Sequence, residues 1–242
     1  MKEQLLINGF MVEAVYSDET VERVLRPFLR TLAEKQRRQS GRLIAFLAAP
    51  PATGKSTLAA FLQKLAGDMS GMPPVQALGM DGFHYHQDYI LSHTAQREGK
   101  TVPMKQIKGA PESFDVLKLQ KTLEDMRTQD ITWPVYDRTL HDVVEDAVHV
   151  TAPIVLVEGN YLLLDQPVWR ELTHDYAVFV LAEETQLRER LIVRKMRGGA
   201  TEVEALRHYN NCDGPNVRLC LQGHLPCDEV WQMTGEGEYK RT

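Results

Sequence analysis

Apolar residues follow two spacings at the start of this chain, one typical of strands and one typical of a helix. Two apolar runs flank Asn8-Gly9, a dipeptide that favours a tight turn, and residues 4–16 are therefore predicted to form a β-hairpin. Asp18 is the expected N-cap of a helix, because apolar residues recur at helical spacing after it. Pro27 falls inside that pattern, so we expect the helix to be kinked or to begin later than Asp18 suggests.

Beyond a polar break near residue 40, short apolar runs alternate with helical patterns. Continuous apolar runs are expected of strands that are covered on both faces. The predicted strands are 43–47, one that ends at Met80, 154–157 and 176–181, and the predicted helices are 55–66, 113–126 and 183–197. This alternation predicts an α/β fold with a mostly parallel sheet and helices on both of its faces. The chain thus divides into an N-terminal hairpin–helix extension, 1–39, and a main domain, 40–242.

Composition and charge narrow the classes of partner. The 242 residues are 43% hydrophobic and 25% charged, and the net charge of −5 argues against nucleic acid or an anionic membrane as the main partner. No apolar run is long enough to span a membrane, and the first residues do not resemble a signal peptide. The three cysteines form no C-x-x-C pair, so we expect free thiols in a reducing, cytoplasmic compartment.

The clearest chemical motif lies between the first buried strand and the helix after it. Residues 49–56, A-P-P-A-T-G-K-S, match the Walker A pattern except that Ala49 replaces its first glycine. Such a loop surrounds phosphates with backbone N–H groups, and the helix adds the positive end of its dipole. Lys55 is expected to reach the β- and γ-phosphates of ATP, and Ser56 to bind Mg²⁺. The predicted nucleotide-binding residues are Pro51, Ala52, Thr53, Gly54, Lys55, Ser56 and Thr57.

Two acidic residues at the ends of predicted strands are candidates for the chemistry of phosphoryl transfer. Asp81 would accept a proton as general base at the edge of the sheet where ligands bind, and a turn-forming Asp-Gly pair is the alternative. Glu158 ends the strand 154–157 in the Walker B arrangement, and we predict that it holds Mg²⁺ or contacts the substrate. The alternative for Glu158 is an acid that caps the next turn.

Arginines are concentrated on the helix 183–197, directly before Gly198-Gly199. Arg190, Arg194 and Arg197 are spaced to share one face, and Arg188 lies nearby. Such a cluster beside two glycines is typical of a mobile lid, so we predict a lid around 188–199 in which Arg194 and Arg197 are catalytic. A solvated helix face explains any single arginine equally well. His84 and His86 form an H-x-H pair without a convincing third ligand, which favours a substrate contact or plain surface over a metal site.

Several motifs in a fixed order resemble the phosphoribulokinase/uridine kinase family. Besides Walker A they are D-G-F-H at 81–84, K-G-A-P-E-S-F-D at 108–115, P-V-Y-D-R at 134–138 and V-E-G-N at 157–160. The chain looks most similar to the bacterial pantothenate kinase branch and to bacterial relatives described as fructose transport system kinases, over roughly residues 41–235. The resemblance implies a three-layer α/β/α P-loop NTPase fold and a kinase that uses ATP and Mg²⁺ to phosphorylate a small alcohol.

The resemblance also implies roles for individual residues. Asp81 stands where the family has its proposed catalytic base, Glu158 where it has a strand-end acid, and Arg194 and Arg197 in the lid helix. With His84, the predicted acceptor-binding residues are Lys108, Glu112, Tyr136, Arg138 and His141. His141 does not directly follow a tyrosine–serine pair, as the histidine of pantothenate kinases does. The acceptor therefore stays open among a sugar, a nucleoside and a pantothenate-like alcohol.

Two other classes of P-loop protein remain as alternatives. The first is a nucleoside triphosphate hydrolase that acts as a regulatory GTPase or ATPase switch; a GTPase would normally carry an N-K-x-D motif, which the sequence lacks. A regulatory nucleotide-binding module need not keep both acids, whereas Lys55, Ser56, Asp81 and Glu158 are all present. The expected partner is a small-molecule acceptor, and a homodimer is a further expectation because relatives often dimerise.

Overall fold

A six-stranded sheet forms the centre of the protein. The structure is a computed structural model and describes residues 1–7, 9–97 and 99–242. The strand order across the sheet is β12-β11-β10-β3-β9-β4, and all neighbours are parallel except β11 and β12. The strands are β3 (Leu43–Ala48), β4 (Val75–Gly79), β9 (Ile154–Gly159), β10 (Tyr176–Leu181), β11 (Glu229–Gly235) and β12 (Glu238–Arg241). The predicted α/β class with a mostly parallel sheet is confirmed.

Two hydrophobic clusters cover the two faces of this sheet. Every residue of β3 is buried, and alternate side chains point to opposite faces. Leu43 and Leu47 belong to one cluster, together with Leu58 and Trp231, whereas Phe46 belongs to the other. The helices of the main domain are α3 (Lys55–Gly67), α4 (Gln87–Ser92), α5 (Val116–Met126), α6 (Glu184–Arg197), α7 (Glu202–His208) and α8 (Gly214–Gln222). Two clusters separated by one sheet give the predicted three layers.

Local hydrogen bonds adjust two predicted boundaries. The predicted helix 113–126 begins only at Val116, because the side chain of Asp115 caps it by accepting a hydrogen bond of 3.0 Å from the backbone N–H of Lys118. The predicted strand before Asp81 ends at Gly79, and Met80–Phe83 forms a short 3₁₀ turn. That turn sets the direction in which the Asp81 side chain leaves the sheet.

The N-terminal segment forms the predicted hairpin, β1 (Lys2–Ile7) and β2 (Phe10–Val15), followed by a helix. Half of the predicted Asn8-Gly9 turn, Asn8, lies outside the described residues. The prediction that Asp18 is the N-cap is wrong, because the Ser17 hydroxyl accepts the hydrogen bond from the backbone N–H of Thr20, at 3.2 Å. The helix begins at Asp18 and consists of α1 (Asp18–Thr20), a π-helical turn (Val21–Leu25) and α2 (Arg26–Arg37). Pro27 lies at the start of α2, where the π-helical turn returns to an α-helix. Because the helix already begins at Asp18, the expectation of a later start is also wrong.

The extension and the main domain share one hydrophobic core. Phe28 of α2 is fully buried, and its ring meets the ring of Trp231 edge-on, with centroids 5.1 Å apart. The two ends of the chain also meet, because the Thr20 hydroxyl accepts a hydrogen bond of 3.0 Å from the backbone N–H of Tyr239. The division of the chain after residue 39 stays a prediction about its organisation.

The sequence analysis did not predict two small hairpins of the main domain. The polar stretch 84–112 contains β5 (Thr94–Arg97) and β6 (Lys100–Pro103), and the segment after α5 forms β7 (Ile131–Asp137) and β8 (Asp142–Val150). Pro134 interrupts the pairing of β7 with β8, where the register shifts between Trp133 and Val135. In the part of the chain that the structure describes, no helix is long and apolar enough to cross a membrane.

Candidate active site

The loop between β3 and α3 has the backbone geometry of a phosphate cradle. Gly54, which directly precedes α3, lies in the left-handed region at a φ of +84°, and Ala52 is also left-handed at +67°. The Thr53 hydroxyl holds the loop by donating to the Pro50 carbonyl at 3.0 Å. Ala49 is fully buried, and its backbone N–H donates to the carbonyl of Gly159 at 3.2 Å. The position that lacks the usual glycine directly follows β3 and continues its hydrogen bonding to β9, where the methyl group of Ala49 is accommodated.

Ser56 and Glu158 are joined directly. The Ser56 hydroxyl at the start of α3 donates a hydrogen bond of 2.6 Å to Oε1 of Glu158 at the end of β9. On the neighbouring strand, a Cβ at Gly79 would stand 3.3 Å from the same Oε1, so a glycine leaves room for this carboxylate. Hydroxyl and carboxylate oxygens are the ligands that Mg²⁺ prefers. The two residues predicted to bind the metal are thus within one hydrogen bond of each other.

Asp81 faces the same space from β4, the next strand along. Its carboxylate forms an ion pair with Arg138, with 3.5 Å between Oδ2 and Nη2. Arg138 belongs to the β7–β8 hairpin, which approaches the Asp81 turn closely at Gly82. A Cβ at Gly82 would stand 2.0 Å from the Pro134 carbonyl oxygen. Only glycine allows the hairpin to come near enough for Arg138 to reach Asp81.

The charges of these residues affect one another. Burial raises the pKa of Glu158, and the negative charge of Asp81 raises it further, whereas Lys55, Ser56 and Arg138 act in the opposite direction. Two neighbouring carboxylates repel each other and share the same cationic neighbours, so an additional positive charge would stabilise their ionised forms. In the described residues no three His, Cys, Asp or Glu side chains form a complete metal site. An Mg²⁺ bound mainly by phosphate oxygens needs only one or two protein ligands, and Ser56 and Glu158 fit that requirement.

A second group of predicted residues surrounds the ring of Tyr136. The His84 ring meets the Tyr136 ring edge-on, with centroids 5.4 Å apart. The Lys108 ammonium lies 5.0 Å from the centroid of the Tyr136 ring and donates a hydrogen bond to the side chain of Gln87. His84 also packs on Phe114 at 3.8 Å, and burial lowers its pKa. A neutral His84 can donate or accept a hydrogen bond toward an acceptor molecule.

The remaining predicted acceptor residues lie at the border of this group. His141 is exposed, and its carbonyl oxygen accepts a hydrogen bond of 3.2 Å from the Lys108 ammonium. Oε2 of Glu112 is buried and has no hydrogen-bond partner among the described residues. Burial raises the pKa of the Tyr161 hydroxyl, and the nearby Cys220 and Glu112 raise it further. His86 pairs with Asp142 and Glu145 instead of turning toward His84, so the H-x-H pair does not form a joint metal site.

One hydrogen bond joins helix α6, which carries the clustered arginines, to the P-loop in the part of the chain that the structure describes. The Arg190 guanidinium donates to the Ala52 carbonyl at 3.3 Å. Arg194 and Arg197 have exposed side chains, and within the described ranges no hydrogen bond or ion pair joins them to the loop. Their role as lid residues stays a prediction. The sequence analysis placed Arg190 on the same helix face as Arg194 and Arg197 but assigned it no role. Spacing shows which residues share a face of a helix, but it does not show what that face contacts.

The sequence also missed Tyr161. It is fully buried behind the acceptor residues and donates a hydrogen bond of 2.7 Å to the Gly109 carbonyl. A signal was present, because Tyr161 follows Glu158 by three residues in the same strand-end segment. This contact links the end of β9 to the loop that carries Lys108 and Glu112.

Comparison with known proteins gives one relative that matches over its full length and others that match in part. The chain is 44% identical to "Uncharacterized protein YggC" of Escherichia coli over 245 residues, with 100% of both chains covered. It is 29% identical to "Putative uridine kinase C227.14" of Schizosaccharomyces pombe, with 79% and 83% covered. The pantothenate kinase of Bacillus velezensis matches at 32% identity over 58% of this chain but only 46% of its own length. No family model matches the chain.

A solved structure with a similar fold covers most of the molecule. The "putative fructose transport system kinase" from Silicibacter sp. TM1040 superposes with a TM-score of 0.76 at 28% sequence identity. The match covers 86% of this chain and 98% of that one. The central sheet and its helices are therefore shared with a protein that carries a kinase name.

Proposed function

Because this chain belongs to the phosphoribulokinase/uridine kinase family of P-loop kinases, we propose that it transfers the γ-phosphoryl group of ATP to a hydroxyl group of a small metabolite. The supporting observation is the meeting of Lys55, Ser56, Asp81 and Glu158. Ser56 bonds to Glu158, and the pKa of Glu158 responds to both Lys55 and Asp81. A cradle for phosphates and the carboxylate of Asp81 beside it are parts that phosphoryl transfer requires.

The two acids have different surroundings, which suggests different roles. Glu158 is bonded to the P-loop serine and so lies on the nucleotide side of the site. Asp81 pairs with Arg138 from the β7–β8 hairpin, and its charge acts on His84, so it lies on the acceptor side. We assign metal binding to Glu158 with Ser56, and proton removal to Asp81.

The reaction follows from this division. The P-loop N–H groups and Lys55 hold the β- and γ-phosphates, and Mg²⁺, when bound, supplies positive charge to the same oxygens. Asp81 accepts the proton of the acceptor hydroxyl while the acceptor oxygen bonds to the γ-phosphorus. The bond between the γ-phosphorus and the bridging oxygen breaks, and ADP leaves with that oxygen. Arg138 orients the carboxylate of Asp81, and Arg194 and Arg197 are assigned to the closing lid.

The acceptor itself would be held by the residues around Tyr136. Tyr136 and His84 offer ring faces and polar edges, and Lys108 supplies a positive charge within 5.0 Å of the Tyr136 ring centroid. The unpartnered Oε2 of Glu112 is suited to accept a hydrogen bond from a hydroxyl group. These features suit a small polar alcohol, such as a sugar, a nucleoside or a pantothenate-like compound.

The test is a panel of acceptors. Purified protein with ATP and Mg²⁺ is incubated with fructose, other sugars, uridine, other nucleosides and pantothenate in turn, and the release of ADP is measured. We expect one acceptor to increase ADP release strongly, and Lys55→Ala to reduce the stimulated rate by more than ~100-fold. If no acceptor stimulates turnover and Lys55→Ala leaves the basal rate unchanged, the kinase assignment fails. A basal rate that depends on Lys55 without any acceptor effect would favour a nucleoside triphosphate hydrolase instead.

A further inference from the structure

The active-site cleft continues away from Asp81 into an apolar cavity of about 170 Å³. Ser56, Asp81 and Glu158 form its polar end. The rest of the wall is mostly apolar and comes from four separate parts of the chain. These walls include Ile7 and Leu6 of β1, Ala59 and Ala60 of α3, Ala77 and Leu78 of β4, and Trp133, Val135 and Val148 of the β7–β8 hairpin.

The N-terminal hairpin is fixed beside this cavity by packing on the P-loop helix. The ring of Tyr16, directly after β2, lies 4.3 Å from the ring of Phe61 in α3, measured between centroids. Its carbonyl accepts a hydrogen bond of 2.6 Å from the Met1 ammonium, which closes the open end of the hairpin. Leu5 packs against the main core, and Ile7 follows it on the same face of β1. The strand therefore carries Ile7 from the core to the mouth of the cavity.

Small residues opposite the hairpin create the empty space. Ala59 and Ala60 face the cavity from α3, and Gly79 and Gly82 border its polar end. Larger side chains at these positions would fill the volume that Ile7 covers. Leu6 is 69% exposed and contributes only to the rim, so the half-buried Ile7 is the main wall on this side.

The cavity has a size and a polarity that suit one part of an acceptor. Its volume of about 170 Å³ lies below the roughly 300–1,000 Å³ of typical ligand pockets, so it suits part of a ligand and not a whole nucleotide. An apolar group placed there leaves water, while the hydroxyl attached to it stays beside Asp81. Each methyl or methylene group buried in this way strengthens binding by about fourfold.

We propose that the N-terminal hairpin selects the acceptor: Ile7, with Leu6 at the rim, forms an apolar wall that favours alcohols carrying an apolar group next to the reactive hydroxyl. The inference rests on the proposed kinase activity and assigns a substrate class to the same site. It also gives a role to residues 1–39, for which the sequence motifs indicate no chemistry.

Two diols test the proposal, because they differ only in two methyl groups beside the hydroxyl. Trimethylene glycol lacks these methyl groups and neopentyl glycol has them. For the wild-type protein, binding of each diol in the presence of Mg²⁺ and ADP is measured by calorimetry, and kcat/KM is measured by ADP release with ATP. We expect neopentyl glycol to be preferred by about 16-fold in both measurements, since two methyl groups are buried.

Variants of the hairpin locate the source of the preference. Ile7→Ser should reduce the preference for neopentyl glycol to about twofold, whereas Ile7→Val should keep most of it. Val15→Ser is the matched control, since Val15 lies on the same hairpin at the end far from the cleft and is 49% exposed. Unfolding temperatures of all variants confirm that the hairpin remains docked.

Each outcome has a definite meaning. Equal binding of the two diols by the wild-type protein, including no binding of either, overturns the proposal. An equal loss of preference in Ile7→Ser and Val15→Ser also overturns it, because the effect would then not come from the cavity wall. A preference seen in binding, together with no stimulation of ADP release by these diols or by any member of the acceptor panel, would keep the apolar site and reject the kinase assignment.

Discussion

The hydroxyl of Ser56 donates a hydrogen bond of 2.6 Å to the carboxylate of Glu158, and so joins the P-loop to the end of the adjacent strand. The bond brings together the two side chains that we assign to Mg²⁺. It also fixes the start of α3 relative to β9. The strand next to β9 is β4, and Asp81 lies directly after it. The arrangement leads to predictions for the metal, the base, the nucleotide, the hairpin and the effect of pH.

Ser56→Ala should weaken the response to Mg²⁺. The variant loses a metal ligand and the hydrogen bond that positions the Glu158 carboxylate, so the Mg²⁺ concentration for half-maximal ADP release should rise at least ~10-fold. Ser56→Thr retains the hydroxyl and serves as the control. An unchanged Mg²⁺ dependence in Ser56→Ala would remove the metal assignment.

Asp81→Asn should affect the chemical step more than the binding of ATP. The amide cannot accept the proton of the acceptor, so kcat should fall by ~100-fold or more while the KM for ATP changes little. Asp88→Asn, an exposed acid on α4, is the matched control. A large loss of ATP affinity with an intact kcat would contradict the role of general base.

Arg190→Gln should act on the nucleotide. Its guanidinium supports the Ala52 carbonyl in the P-loop, so the KM for ATP should rise by about tenfold as one charge-assisted hydrogen bond is lost. Arg194→Gln and Arg197→Gln should instead lower kcat if these residues belong to the lid. Steady-state kinetics with varied ATP separate the two effects, and an unchanged kcat in both lid variants would end the lid prediction.

Gly82→Ala should displace the β7–β8 hairpin. A Cβ 2.0 Å from the Pro134 carbonyl oxygen cannot be accommodated without a backbone shift, so we expect the free energy of unfolding to fall by about 2–3 kcal/mol. Activity should fall as well, because the hairpin carries Tyr136 and Arg138. Gly67→Ala is the control, since a Cβ at the end of α3 meets nothing within 4 Å. Urea unfolding of both variants checks the prediction, which fails if they are equally stable.

His84 should make stability depend on pH. Burial holds the pKa of His84 below its ordinary value of 6.5, so the unfolded chain takes up a proton more readily than the folded one. The contribution of His84 is therefore fully present above about pH 6.5 and is lost as the pH falls below it. His84→Phe keeps an aromatic ring against Phe114 and removes the titration. Urea unfolding at about pH 7.5 and about pH 5 should show a smaller difference for the variant than for the wild-type protein.

His174, whose pKa burial also lowers, is present in both proteins and contributes equally to each. The comparison between the wild-type protein and His84→Phe therefore isolates His84. A difference that is equal in the two proteins would show that the ring titrates normally in the folded chain.

The strands at the centre of the sheet could be read from the sequence because burial on both faces leaves a continuous apolar run. β3, β9 and β10 all show such a run, and the structure places each within two residues of the prediction. The hairpin of β7 and β8 could not be read, because Pro134 and the exposed polar positions of β8 hide the strand pattern. Edge structures of this kind are fixed by tertiary contacts, such as the approach of Pro134 to Gly82, and not by local preference.

The candidate site shows the same limit. Asp81 and Glu158 were predictable as a pair, since parallel neighbouring strands bring their carboxyl ends to one edge. The choice of Arg190 over its neighbours depends on how α6 rotates on the sheet, which spacing does not determine. Tyr161 and Ile7 depend on contacts between segments far apart in the chain, and the only local signal is the position of Tyr161 three residues after Glu158.

The hydrogen bond between Thr20 and Tyr239 joins residues that are 219 positions apart. During synthesis the first helix leaves the ribosome long before its packing partners Trp231 and Tyr239 exist. The buried face of α2 packs on β3 and α3, which emerge early, but its contact with Trp231 forms only when translation is almost complete. A chain cut before β11 would therefore keep the contact of the hairpin with the P-loop helix, through Tyr16 and Phe61, and would leave Phe28 without its aromatic partner Trp231.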